Sequence, residues 1–113
     1  MLKKLYRLKN ERNFKKVARF GKKAQIDLLT LKYLETRFES SRFGIVISAK
    51  VLKKAVQRNY VKRRIIESVR LNLSQIKPGY DIVFLMYNKP ANIKEIDFKE
   101  KTLNLLKKAQ LLK

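Results

Sequence analysis

The sequence predicts an α+β fold: a two-layer sandwich in which one small mixed β-sheet packs against about three helices. Three patterns lead there. Apolar residues recur at helical spacing near positions 14–18, 61–73 and 98–112. They alternate at strand spacing between residues 25 and 49. From Tyr80 to Tyr87 they run almost without a break, as in a strand covered on both faces. The predicted order is α-β-β-(β)-α-β-α, in one domain over residues 1–113.

The first helix is expected over Glu11 to Phe20. Asn10 suits its N-cap, and Gly21 suits a left-handed residue at its end. Phe14, Val17 and Ala18 share one face. Gln25 to Leu34 reads as one strand, with Leu29, Leu31 and Tyr33 opposite Leu28, Thr30 and Lys32. A polar hairpin near Glu39-Ser40-Ser41 leads to a second strand, Arg42 to Ala49, rich in β-branched residues. Ala49 to Lys54 forms a short further strand or a loop.

The second helix is expected over Ala55 to Leu73, with Val61, Ile65, Val69 and Leu73 toward the core. Pro78-Gly79 turns the chain into the apolar strand, and Pro90 stops it. Asp97 with Glu100 three residues on has capping-box spacing and opens the last helix. Phe98, Thr102, Leu105, Ala109 and Leu112 form its buried stripe.

Composition narrows the function. Hydrophobic residues make up 45% of 113, enough for a core. Lys and Arg number 29 against 9 Asp and Glu, a formal net charge of +20. Such a charge attracts polyanions, chiefly nucleic acid or an anionic membrane. The basic residues lack a matching exposed apolar face, which argues against a membrane partner. There is no Cys and no His, so disulfides, Cys/His metal sites, a histidine base and a cysteine nucleophile are excluded. No stretch reaches the ~20 apolar residues that span a bilayer. No signal peptide is expected after the basic start, and a cytoplasmic location fits.

The charge is concentrated in two places. Residues 53–70 carry seven cations and one acid, Glu67. On a helix, Asn59, Lys62 and Arg63 are neighbours, and Arg58 lies one turn below Lys62. Arginines can fork onto phosphate oxygens, and Asn can donate or accept toward a base or a 2′-OH. The alternative is a solvated helix face, but such faces normally mix both signs. Residues 1–25 carry ten cations and one acid, Glu11, with Phe14 among them. Phe14 could stack an unpaired base or simply join the core.

The stretch from Gly44, Ser48 and Lys50 into Ala55-Val56-Gln57-Arg58-Asn59-Tyr60-Val61-Lys62-Arg63 resembles the protein subunit of bacterial ribonuclease P. The resemblance covers nearly the whole chain. Arg7-Leu8-Lys9, Phe14, Val17 and Gly21 match the family's opening, and Lys89-Pro90-Ala91 its turn after the last strand. It implies a ribonucleoprotein that removes the 5′ leader of precursor tRNA. The catalytic site and its Mg²⁺ would belong to an RNA subunit. It also implies a left-handed crossover between parallel strands, an exception to a strong rule.

By resemblance, Lys53, Lys54, Arg58, Asn59, Lys62 and Arg63 would bind the catalytic RNA. Phe14, Lys15, Ala18, Lys32, Ser48 and Lys50 would bind the precursor-tRNA leader. Some positions depart from the family. Tyr60 stands where Arg is frequent, and Leu52-Lys53-Lys54 replaces a usual Gly-Asn pair. Ala18 and Lys32 stand where the leader cleft usually has aromatic residues. Contacts to the leader would then lean more on charge than on stacking.

No catalytic residue and no protein-held metal are expected. The nine acids are scattered, whereas a two-metal nuclease needs convergent carboxylates. A ribosomal or other structural RNA-binding protein would share this size and charge. No small-molecule substrate is indicated.

Overall fold

A four-stranded mixed sheet organises the chain, in the order β1-β2-β4-β3. The computed structural model describes residues 2–113. The strands are β1 (Lys22–Ile26), β2 (Leu29–Glu35), β3 (Arg42–Ile47) and β4 (Tyr80–Met86). The helices are α1 (Glu11–Phe20), α2 (Ala55–Leu71) and α3 (Phe98–Lys108). Sheet and α2–α3 pair make the two main layers, while α1 lies alone across the other sheet face.

The apolar run of β4 makes it a central strand. It pairs antiparallel with β2 and parallel with β3, and Ile82 and Phe84 are fully buried. The main core joins Leu29, Leu31, Phe43 and Phe84 of the sheet to Val61 and Ile65 of α2 and Phe98 and Leu105 of α3. Both predicted caps form: the Asn10 side chain accepts from the Arg12 N–H, and the Asp97 carboxylate accepts from the Glu100 N–H.

Four expectations are corrected, and the open choice at Ala49 to Lys54 falls to the loop. The stretch Gln25 to Leu34 is not one strand. Asp27 takes a φ of 47° and, with Leu28, turns β1 back onto β2. A short polar side chain tolerates that conformation, and Asp27 is held there by Lys101 of α3. This turn supplies the extra strand; Ala49 to Lys54 is a turn whose Val51 and Leu52 N–H groups both donate to the Ser48 carbonyl.

The residues near Glu39-Ser40-Ser41 do not form a hairpin, because β2 and β3 lie on either side of β4. Arg42 forks onto Asp81 with two bonds of 2.8 Å, and Ser41 donates to the Lys77 carbonyl. These contacts tie the start of β3 to the start of β4. Gly21 has φ −75° and is not left-handed. A Cβ there would sit 2.5 Å from the Val17 carbonyl and 2.9 Å from that of Tyr33, so glycine permits close approach of α1 to β2. Finally, α2 ends at Leu71, where Asn72 turns its side-chain amide back to the Ser68 carbonyl.

Candidate RNA interface

The N-terminal half of α2 is an unbalanced cationic surface. Val61, Ile65 and Val69 anchor the helix in the core, so helical periodicity turns the intervening cations outward. Lys53, Lys54, Asn59 and Arg63 are exposed; Arg58 and Lys62 are half-buried. Among the described residues, none of these cations has a carboxylate within ion-pair distance. The one acid of the helix, Glu67, pairs with Arg70 at 2.7 Å. The hydrogen bond from Arg70 holds its carboxyl below the usual range, so Glu67 neutralises the far end of α2 and not the cluster.

Arg58 has a second task that the sequence did not reveal. One of its terminal nitrogens, Nη1, donates to the carbonyls of Leu52 (2.7 Å) and Lys53 (2.9 Å). It thereby fixes the loop that carries Lys53 and Lys54 against the helix. Nε and the other terminal nitrogen make no hydrogen bond among the described residues and remain free for phosphate.

The predicted leader residues divide into three groups. Phe14, Ala18 and Lys32 meet where α1 crosses the sheet. The Phe14 ring lies directly over Gly44, where a Cβ would come within 2.5 Å of two ring carbons. Phe14 packs against Leu8, Val17 and Val83 yet stays half-buried, so it is both a core residue and an accessible aromatic edge. Lys32 Nζ donates to the Ala18 carbonyl at 3.5 Å, bringing its charge to the end of α1. Ser48 and Lys50 are exposed beyond the end of β3. Lys15 points to solvent beside Glu11, 3.4 Å away.

The structure joins the two predicted surfaces. A groove of about 290 Å³ at the β3 edge is lined by Phe14 and Gly44 on one side and Lys62 and Ile66 on the other. Arg7 and Lys9 also line it; the sequence marked them as part of the basic opening stretch but not as site residues. Val46 and Tyr87, on or beside the strand ends, are 42% and 54% exposed on the face that α1 crosses. In the sequence, the alternation of β3 puts Val46 with Ser48 and Lys50 opposite its core-facing set.

Known proteins resemble this arrangement throughout. The family model described as Ribonuclease P matches residues 2–110. The ribonuclease P protein component of Clostridioides difficile is 42% identical over 107 residues, covering 92% of this chain and 91% of that protein. That of Alkaliphilus oremlandii is 36% identical, covering 98% and 96%. Among solved structures, the RNase P protein of Thermotoga maritima superposes with a TM-score of 0.80 at 35% identity, covering 89% of this chain and 94% of that one. The Staphylococcus aureus RNase P protein gives 0.84 at 25% identity, covering 96% and 98%. A cationic α2 on this fold, matched over nearly its whole length, makes the chain a member of the ribonuclease P protein component family, whose work is the 5′ processing of tRNA within an RNA-containing complex.

Proposed function

We propose that the chain, acting as one domain over residues 1–113, positions two RNAs in the cytoplasm. The first is the catalytic RNA subunit, bound by Lys53, Lys54, Arg58, Asn59, Lys62 and Arg63. The second is precursor tRNA, whose single-stranded leader runs past Phe14, Lys15, Ala18, Lys32, Ser48 and Lys50. The observation that carries this reading is the uncompensated charge on α2: six cations from Lys53 to Arg64 without a paired acid among the described residues. Such a surface repels itself unless a polyanion covers it.

Hydrolysis of the leader phosphodiester is assigned to the RNA subunit with bound Mg²⁺. Among the described residues no three carboxylates, histidines or cysteines converge, so this chain's side chains do not fit a Mg²⁺ site. The protein's part is orientation and charge neutralisation.

Reconstitution tests the reading. Added protein is expected to lower the Mg²⁺ concentration at which a ribonuclease P RNA cleaves precursor tRNA; no effect on cleavage or substrate affinity would sink it. Arg58→Ala with Arg63→Ala should weaken binding to the catalytic RNA and reduce its salt slope by about 2, about one per lost phosphate contact. Phe14→Ala should weaken precursor tRNA more than mature tRNA, by ~1–3 kcal/mol if the ring stacks a leader base. Equal losses for both tRNAs would leave Phe14 a packing residue.

A further inference from the structure

A second groove, of about 240 Å³, lies between α2 and the loop after β4. By helical periodicity it occupies the flank of α2 opposite Lys62 and Ile66, and it shares no lining residue with the Phe14 groove. Val56 and Tyr60 form one wall, Pro90 and Ile93 the other, with Lys89 and Lys94 at the rim. No acid lines it. Val56 is 75% exposed, an apolar side chain that covers little of the protein's own surface. Tyr60 also borders the hollow that holds Arg63 and Arg64, and the Arg64 guanidinium sits 5.1 Å from its ring centroid.

We propose that this groove receives one unpaired base of the RNA subunit, stacked against Tyr60. The inference rests on the docking of that RNA along α2. The chemistry is specific. An apolar groove walled by an aromatic ring suits a base of any identity, since every base has a π-face. Its volume falls below the ~300 Å³ at which pockets for drug-sized ligands begin. Lys89 and Lys94 line the groove and supply charge for the phosphates flanking an inserted base. Arg64 against the ring adds a cation–π contact that fixes the aromatic plane before RNA arrives. The occupant comes from the RNA subunit and not the leader, because the slot continues from the Leu52-Lys53-Lys54 turn and is separate from Phe14.

The experiment titrates full-length variants against the RNA subunit, first without tRNA and then with precursor tRNA. Tyr60→Leu should lower affinity about tenfold with an unchanged salt slope, because stacking is lost without loss of a phosphate contact. Tyr60→Phe should bind within about twofold of the parent chain. In the complex of the unmutated chain, the methyl resonances of Val56 and Ile93 should move upfield from the ring current of the inserted base, a readout independent of any variant's folding. Unshifted methyls overturn the proposal. So does an equal loss for Tyr60→Phe and Tyr60→Leu, which would mean a hydroxyl contact. A loss seen only when precursor tRNA binds would assign the slot to the leader and overturn it too. If Arg63→Ala weakens binding and Tyr60→Leu does not, the slot falls while docking on α2 stands. If neither weakens it, both fall.

Discussion

The two faces of the sheet come from the same strands and are covered to different degrees. Toward α2 and α3, Leu29, Leu31, Phe43, Ile82, Phe84 and Met86 are all buried. Toward α1, the buried apolar cluster shrinks to Leu8, Val17 and Val83, and Val46 and Tyr87 meet solvent. Because side chains alternate along a strand, β2, β3 and β4 each send one set of residues into the closed core and the other to a face that α1 covers only in part. A substitution's effect should therefore follow the parity of its position.

The largest expected effect lies on the closed face. Phe84→Ala should cost about 3–5 kcal/mol in urea unfolding, since the ring is fully buried among residues from both layers. A loss below about 1 kcal/mol would break the contrast. Gly44→Ala, on the open face, tests its most crowded point. The new methyl would meet the Phe14 ring, so ~1–3 kcal/mol of overpacking is expected, together with reduced preference for precursor over mature tRNA. Stability lost without any change in that preference would separate the Phe14 ring from leader binding. Val46→Ser should change stability by less than ~0.5 kcal/mol. A cost near 2 kcal/mol would mean that this face is covered after all.

The helices were legible because each carries its own period and its own stop signals, such as Asn10 and Asp97. The β1–β2 turn was not, because Asp27-Leu28 contains neither Gly nor Pro, and its one local mark is a shift of the apolar phase from Ala24 and Ile26 to Leu29 and Leu31. Strand order was hidden for another reason. Placing β4 between β2 and β3 depends on contacts such as Arg42 with Asp81, 39 residues apart, which no local pattern records. The cationic cluster of α2 could be read as charge alone. That Arg58 would also clamp the Leu52 and Lys53 carbonyls could not, since the path of the preceding loop was unknown. Lys62 and Phe14 looked like members of separate surfaces until the β3 edge brought them to one groove.

That edge bears on how the protein behaves among its own copies. An open sheet margin is a template for another strand, and this sheet has two. The β1 margin carries Lys22 and Lys23, whose charges repel a second copy. The β3 margin is partly occupied from within: Leu8 donates its N–H to the Phe43 carbonyl at 2.8 Å, and Arg7 bridges the same residue. Trimming the chain to begin at Lys9 would strip that cover and bare an apolar strand. Such a fragment, having lost Lys3, Lys4 and Arg7 from a +20 chain, would carry +17 and should polymerise in high-salt buffers, where screening removes the mutual repulsion.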